Sequence, residues 1–244
     1  MNGLKVMLKP HVWMRGQWIG ELDMQTEEEW KVWEKSYSEY ILTYSRLADS
    51  LNADLFCVGT ELKIAAVKRP EYWKGLIRAV REIYSGPLTY ASNWDNYQAI
   101  TFWEELDYIG IDAYFPLTFA EDPTAADINK GWEPIKREMK KLSRSVGRPV
   151  LLTEYGYQSI KGAAGNHWEV SRNRDDVDLA LQARAYECLY QCLWKEDWVS
   201  GGFLWKWHFR EGVGGESDIN FTPQRKPVEA VISKWYGSHL TGIN

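Results

Sequence analysis

Short hydrophobic runs of strand length alternate along this chain with segments whose apolar residues recur at helical spacing. The clearest run spans Pro149 to Thr153 and ends at Glu154, and a second run, Asp54 to Thr60, has the same layout and ends at Glu61. Runs this apolar are typical of parallel strands covered by helices. Because such strands gather their ligands at their carboxyl ends, Glu61 and Glu154 are candidate catalytic acids, although each could be an ordinary loop acid.

The same pattern places the remaining elements. Strands are predicted over residues 3–13, 54–61, 87–94, 107–114, 149–154 and 201–208. Helices are predicted over 26–51, 70–83, 132–146, 177–193 and 227–235, with a short one near 96–106. The first of these helices carries Thr26 and Glu29 at the spacing of a capping box. The alternation predicts an α/β fold with parallel strands, and acids at the ends of separated strands favour a barrel over an open sheet.

The number of strand and helix units is smaller than this fold requires. Six units can be identified, whereas a closed TIM barrel has eight. We therefore expect one glycosidase-like barrel domain over residues 1–244 that is incomplete at its N-terminus. A preceding segment of chain or a partner chain would complete the barrel, and the first and last strands would otherwise present unpaired edges.

Charge and composition exclude several classes of partner. The net charge is −5, from 29 basic and 34 acidic residues. The sequence has no stripe of basic residues of the kind that binds nucleic acid or an acidic membrane surface. No apolar run has the length of a membrane span. The chain contains 14 tryptophans, which is more than a core requires. About half of them are expected at seams between helices and sheet, and the others suit stacking against a neutral ligand such as a sugar.

Motifs for common cofactors are absent from the sequence. No glycine-rich fingerprint follows a strand, so a nucleotide cofactor is not predicted, and no Ser lies in a Gly-x-Ser-x-Gly elbow. Cys57, Cys188 and Cys192 have no His at metal-ligand spacing and are interpreted as buried thiols. Neither a cofactor nor a metal is expected.

Over essentially its whole length the sequence resembles the retaining TIM-barrel glycosidases of clan A, and within them glycoside hydrolase family 113, the β-mannanases. The resemblance rests on Gly59-Thr60-Glu61, on Leu152-Thr153-Glu154-Tyr155-Gly156, on Asp112-Ala113-Tyr114-Phe115-Pro116-Leu117 and on Leu204-Trp205-Lys206-Trp207. It implies that the strand carrying Lys9 to Trp13 is the third of the barrel, so that the two units expected to be missing are the first two.

The same resemblance implies roles for individual residues. Glu61 would be the acid/base, Glu154 the nucleophile, and Tyr114 would donate a hydrogen bond to that nucleophile. Trp205 would form the floor of the sugar site, and its peptide bond to Lys206 is expected to be cis. In most of the clan Asn precedes the acid/base, whereas Thr60 precedes it here, which bears on how the 2-hydroxyl of the sugar is recognised.

Further residues at strand ends are candidates for contact with substrate. Lys9, His11 and Trp13 alternate along the first predicted strand and would share one face, although Lys9 and His11 could instead have structural partners. The full set of substrate-binding candidates is Lys9, His11, Trp13, Thr60, Asn93, Trp94, Trp205 and Trp207.

The predicted function is a retaining glycoside hydrolase that cleaves β-1,4-mannan or a related β-linked glycan with two Glu residues. Two alternatives stay open: a carbohydrate-binding protein without catalysis, and an inactive fragment of a clan A glycosidase that acts on another β-glycan. Any targeting signal would precede Met1, so the compartment is open, with a lean towards secretion or the periplasm.

Overall fold

The computed structural model describes residues 5–165 and 173–240. It contains the six strands that the sequence predicts: β1 (Met7–Leu8), β2 (Leu55–Thr60), β3 (Leu88–Asn93), β4 (Tyr108–Asp112), β5 (Val150–Tyr155) and β6 (Val199–Leu204). The helices are α1 (Glu27–Ser50), α2 (Lys63–Lys68), α3 (Pro70–Arg81), α4 (Ala125–Val146), α5 (Leu179–Leu193) and α6 (Val228–Leu240). Short 3-10 turns lie at Ile19–Glu21, Tyr97–Ala99, Trp103–Glu105 and Arg174–Asp176.

The strands form one sheet whose spatial order follows the chain, from β1 to β6. The pairs β1/β2, β2/β3 and β3/β4 are parallel, and helices or turns connect successive strands. This is the α/β alternation that the hydrophobic pattern predicts. Within the described residues β1 and β6 are the terminal strands of the sheet.

The chain divides into two compact units, which are described separately below. The first comprises the residues up to Asp112 together with Leu142–Thr153. The second comprises Ala113–Lys141 and the residues from Glu154 onward. The single-domain interpretation stays a prediction.

The core of the first unit is built around β2, of which every residue is buried. The α1 helix begins at the predicted capping box, with the Thr26 hydroxyl accepting from the Glu29 N–H and the Glu29 carboxylate accepting from the Thr26 N–H. A fixed N-terminus sets the helical face that packs on the sheet, and the Tyr37 hydroxyl of that face donates to the Val58 carbonyl of β2. The helix is thereby tied to the strand that leads into Glu61.

The core of the second unit is rich in tyrosine and tryptophan. The buried Tyr155 side chain of β5 shares hydrogen bonds with Tyr190 of α5 and Tyr236 of α6, with oxygen–oxygen distances of 3.0 and 2.9 Å. Trp194 packs its ring edge-on against Tyr155. These contacts attach both helices to the strand that carries Glu154.

The first predicted strand is too long. The structure ends β1 at Leu8, whereas the pattern predicted strand from residue 3 to residue 13, and residues 1–4 lie outside the described part. Pro10 has no N–H to donate, so the ladder with β2 cannot continue past it. The strand-alternation argument that placed Lys9, His11 and Trp13 on one face is therefore wrong.

Two other predictions are also corrected. The last strand runs over Val199–Leu204 rather than 201–208, so Trp205 and Trp207 follow the strand instead of lying in it. Gly201, taken as the beginning of the strand, has φ of +96° and lies inside it, a conformation that glycine tolerates. The predicted short helix over 96–106 is replaced by two 3-10 turns, and the indole N–H of Trp103 in the second donates to the Tyr97 carbonyl in the first.

Candidate active site

Glu61 follows β2 directly and has a left-handed backbone, with φ of +54°. Its N–H donates to the Ala91 carbonyl of β3 at 2.8 Å, and its own carbonyl accepts from the N–H of Lys63 at 2.8 Å. A non-glycine residue adopts this conformation only where its surroundings enforce it, and such residues cluster at functional sites. The two backbone bonds fix the point from which the Glu61 side chain leaves the sheet.

Gly59, two residues before Glu61, packs closely against two aromatic rings. A Cβ at Gly59 would lie 2.7 Å from the Trp73 ring and 2.9 Å from the Tyr90 ring. Both rings are fully buried, so neither can move aside. The glycine of the Gly59-Thr60-Glu61 motif is thus required for packing rather than for chemistry.

Trp18 contacts the Glu61 carboxylate, a contact that the sequence analysis missed. Its indole Nε1 donates to Glu61 Oε2 at 2.7 Å. A turn at Gly16, with φ of +77° and an antiparallel bridge between Met14 and Gln17, precedes it. The Trp18 ring lies against the backbone of Gly20, where a Cβ would be 2.4 Å from ring carbons. Glycine at position 20 therefore makes room for the indole in its observed place.

Buried, uncharged side chains of β2 and β3 lie near the backbone of Glu61. Thr60 is 6% exposed, and its hydroxyl lies 3.5 Å from the Pro10 carbonyl and 4.0 Å from Cys57 Sγ. Burial raises the pKa of Cys57 above its ordinary value, although the Lys9 charge opposes this. Burial also raises the pKa of Tyr90 well above its ordinary value, with smaller contributions from Cys57 and from Glu61. Both groups therefore stay neutral at pH 7.

A buried ion pair joins Lys9 to β4. Lys9 Nζ lies 3.0 and 3.2 Å from the two carboxylate oxygens of Asp112, which is fully buried, and the Thr153 hydroxyl of β5 donates to Asp112 Oδ1 at 2.7 Å. A buried carboxylate needs such partners. Lys9 thus has a structural partner, and its contact with substrate stays a prediction.

The other candidates in the first unit lie at the end of β3 or in the segment that follows β1. His11 and Trp13 stack at a centroid distance of 6.0 Å, and Trp13 is 80% exposed. Asn93 is the last residue of β3, and its side-chain amide donates to Asp95 Oδ1 at 2.9 Å. Trp94 follows Asn93 and is half-buried. An exposed indole such as that of Trp13 is available for stacking on a sugar.

In the second unit Glu154 is held by Tyr114. The Tyr114 hydroxyl donates to Glu154 Oε2 at 2.8 Å, which is the contact that the family resemblance implies. The Glu154 carbonyl accepts from the Ala113 N–H at 2.7 Å, which fixes the backbone beside that hydrogen bond. The two hydrogen bonds hold the Glu154 side chain and backbone in one orientation, as a nucleophile requires.

Trp205 is bound to the same strand. Its N–H donates to the Tyr155 carbonyl at 2.8 Å, and a Cβ at Gly156 would lie 2.2 Å from the Trp205 carbonyl oxygen, so glycine is required there. The Trp205–Lys206 peptide bond is cis, which confirms that prediction. Trp207 is 55% exposed and is a second indole available to a ligand.

Metal binding has no support in the described ranges. Within residues 5–165 and 173–240, no group of three or more His, Cys, Asp or Glu side chains could hold a metal ion. No helix in those ranges is long and apolar enough to span a bilayer.

Similarity to a known protein family extends over most of the chain. The family model of Glycoside Hydrolase Family 113 matches residues 1–220. The chain belongs to glycoside hydrolase family 113. It is therefore a glycoside hydrolase, as the motifs around Glu61 and Glu154 predict. No curated protein matches the chain.

Solved structures of family 113 agree with this assignment. A β-mannanase from Alicyclobacillus acidocaldarius, in complex with ManMIm, is 28% identical, with a TM-score of 0.85. Two structures described as GH113 β-1,4-mannanase are 27% and 28% identical, with TM-scores of 0.82 and 0.83. Each match covers 97% of this chain and 74% of the other. These matches confirm the TIM-barrel type of fold predicted from the sequence.

Proposed function

We propose that this family 113 member hydrolyses β-1,4-mannan or a closely related β-linked glycan with retention of configuration. The observation that carries the proposal is the likeness to β-1,4-mannanases over 97% of the chain. Of the two acids that the mechanism requires, Glu61 directly follows β2 and Glu154 is the penultimate residue of β5. Retaining glycosidases use one such residue as nucleophile and the other as acid and base.

Glu154 is the proposed nucleophile. Its carboxylate attacks the anomeric carbon and forms a glycosyl ester while the bond to the leaving oxygen breaks. The Tyr114 hydroxyl, 2.8 Å from Oε2, fixes the orientation of the carboxylate before attack. Hydrolysis of the ester returns Glu154 to its starting state.

Glu61 is the proposed acid/base. In the first step its carboxyl group gives a proton to the departing oxygen, and in the second the resulting carboxylate takes a proton from the water that attacks the anomeric carbon. The Trp18 indole N–H donates to Oε2 of this carboxyl group at 2.7 Å, which fixes its orientation.

Substrate contacts are proposed for aromatic and polar residues of each unit. The indoles of Trp13, Trp94, Trp205 and Trp207 would stack on sugar rings, and Lys9, His11, Thr60 and Asn93 would bind hydroxyl groups. The Thr60 hydroxyl is buried and lies 3.5 Å from the Pro10 carbonyl. Because Thr60 stands where most of the clan has Asn, recognition of the sugar's 2-hydroxyl is the part of substrate specificity to test first.

The test is hydrolysis of β-1,4-mannan, cellulose and xylan by equal amounts of this chain, measured as reducing sugar. Mannan is expected to be cleaved at least about tenfold faster than the other two, the ratio that about 1.4 kcal/mol of differential transition-state binding provides. Faster cleavage of cellulose or xylan would contradict the substrate. Binding of mannan without cleavage would instead support a carbohydrate-binding protein.

Trp18→Phe is expected to change the pH dependence of that activity. The substitution keeps an aromatic ring but removes the N–H that donates to the Glu61 carboxylate. Since a donor favours the charged form of its acceptor, its loss keeps Glu61 protonated to higher pH. The alkaline limb of the kcat/KM profile should move to higher pH, and kcat/KM at the optimum should fall roughly tenfold, the loss expected for one hydrogen bond to a charged group.

Trp198→Phe is the matched control, because the Trp198 indole donates at the same distance, 2.7 Å, to a different glutamate, Glu196. Trp198→Phe should leave the shape of the pH profile unchanged. Identical profiles for Trp18→Phe and the wild type would show that the Trp18 hydrogen bond has no part in proton transfer.

A further inference from the structure

Lys226 lies at the end of the segment that connects β6 to α6, and its side chain is completely buried. Lys226 Nζ donates to Asp218 Oδ1 at 2.6 Å, to the Ser159 hydroxyl at 2.8 Å and to the Asn220 carbonyl at 2.9 Å. These acceptors match the three protons of an ammonium group. A lysine is almost never buried unless it is paired in this way, so the arrangement holds its neighbours in one place.

Ser159 brings a second segment of chain to this cluster. It follows β5 and is fully buried, and its hydroxyl donates to the Asp218 carbonyl at 2.5 Å. Burial by itself would raise the pKa of Asp218, but the hydrogen bonds from Lys226 and Asn220 lower it below its ordinary value. Burial lowers the pKa of Lys226, and its pairing with Asp218 opposes that. We call Lys226, Asp218 and Ser159 the lysine latch, since they join the segment after β5 to the segment before α6.

The lysine latch joins the two ends of a short segment that contains Phe221. This residue lies between Asp218 and Lys226, and its carbonyl accepts from the side chain of buried Gln182 at 3.3 Å. Gln182 also donates to the Tyr157 carbonyl at 2.9 Å, so the Phe221 backbone is tied to the segment that follows β5. The Phe221 backbone is thus held by Gln182 and by the hydrogen bonds of its neighbours in the lysine latch.

The Phe221 ring packs edge-on against Tyr114, with a centroid distance of 6.0 Å and an interplanar angle of 74°. Tyr114 is the residue whose hydroxyl lies 2.8 Å from Glu154 Oε2. Edge-on contact restricts where the Tyr114 ring can lie, and a hydrogen bond of this length tolerates little displacement. One path therefore runs from Lys226 to the Asn220 carbonyl, along the chain to Phe221, and from the Phe221 ring through Tyr114 to Glu154.

We propose that Lys226 is a positioning residue for the nucleophile: the lysine latch holds Phe221 against Tyr114, and Tyr114 thereby stays bonded to Glu154. The proposal rests on the assignment of Glu154 as nucleophile. It adds a residue that never contacts the sugar but controls the first chemical step, because small displacements of a reacting group cost rate rather than binding.

The kinetic test is a double-mutant cycle on Lys226→Met and Tyr114→Phe, with 2,4-dinitrophenyl β-mannobioside as substrate. Its leaving group needs no proton, so kcat/KM reports attack by Glu154. Lys226→Met should lower kcat/KM about tenfold, within the range that misplacement of a catalytic group costs. In the Tyr114→Phe background the same change should have less than about a twofold effect, because coupled residues are not additive. Full additivity would overturn the proposal.

Control variants separate this role from general stabilisation. Lys234→Met removes an exposed lysine of the same unit that pairs with Glu187, and it should leave kcat/KM unchanged. Lys226→Arg should recover part of the lost rate, since a guanidinium can reach the same acceptors. Phe221→Ala leaves the latch intact and tests the same path if Lys226→Met does not fold. Wild-type kcat/KM in Phe221→Ala would overturn the proposal.

A crystal structure of Lys226→Met tests the latch without any activity. The distance from Tyr114 Oη to Glu154 Oε2 should exceed about 3.5 Å, the limit of a hydrogen bond. An unchanged distance of 2.8 Å with residues 218–226 displaced would overturn the latch. A wild-type chain that cleaves no glycan would instead refute the proposed function, and the distance would still be measurable.

Discussion

Glu154→Ala is expected to abolish turnover of every substrate. Without the carboxylate no glycosyl ester can form, so the first step loses its nucleophile whatever the leaving group is. The loss of kcat should be on the order of 10⁶, the size found when another covalent hydrolase loses its nucleophile. The measurements are kcat and kcat/KM on 2,4-dinitrophenyl β-mannobioside, because with this leaving group the first step, which kcat/KM reports, needs no proton from Glu61.

Glu71→Ala is the matched control for this substitution, since Glu71 is an exposed glutamate whose partner is Lys74 in the same helix. It should retain wild-type kcat. Azide added to Glu154→Ala can only occupy the place of the missing carboxylate, so any glycosyl azide formed should have inverted, α configuration. A β-glycosyl azide from this variant would contradict the role of Glu154.

Glu61→Ala is expected to give a loss that depends on the leaving group. On mannan, where the departing oxygen must be protonated, kcat/KM should fall by about 10² to 10⁴, the usual contribution of general acid catalysis. On the dinitrophenyl substrate kcat/KM should change little, because the first step needs no proton. The second step still lacks its base, so the glycosyl ester should accumulate and kcat should fall.

Azide should then rescue Glu61→Ala on the dinitrophenyl substrate. Azide attacks the glycosyl ester without help from a base, so kcat should rise with azide concentration and the product should be the β-glycosyl azide. Glu71→Ala should show no response to azide. An α-glycosyl azide from Glu61→Ala would mean that the roles of Glu61 and Glu154 are exchanged.

The sequence predicted best those elements that local patterns determine. β2 and β5 are continuous apolar runs with buried faces, so their hydrophobicity alone marks them, and each leads directly to its acid. The Thr26 and Glu29 capping box fixes the beginning of α1 with two hydrogen bonds three residues apart. Features of this kind require no knowledge of the rest of the chain.

The ends of β1 and β6 were not predictable in the same way. Residues 5–13 and 201–208 both continue an apolar and polar alternation past the point where the backbone stops pairing. Pairing of β1 ends at Leu8, shortly before Pro10, which has no N–H to donate. The β6 strand begins at Val199, two residues before the predicted start at Gly201. Alternation reports which side chains are apolar, whereas a strand ends where its backbone partners end.

Trp18 and Lys226 were missed because their roles depend on distant contacts. Trp18 bonds to Glu61 across 43 positions of sequence. It follows a turn at Gly16 that no sequence motif predicts. Lys226 reaches Ser159 across 67 positions and resembles an ordinary lysine before a helix. A proline after it suggested only a helix start. Burial of a charge, the signal that identifies Lys226, exists only in the folded chain.

The most direct test of the central claim is the anomeric configuration of the first product. Proton NMR during the first minutes of hydrolysis of a β-1,4-linked mannooligosaccharide shows which anomer forms before mutarotation mixes the two. Double displacement through Glu154 and Glu61 predicts that the β-anomer appears first and the α-anomer grows in later. Initial formation of the α-anomer would contradict the retaining mechanism, and the absence of any cleavage would contradict the assignment of this chain as a β-mannan hydrolase.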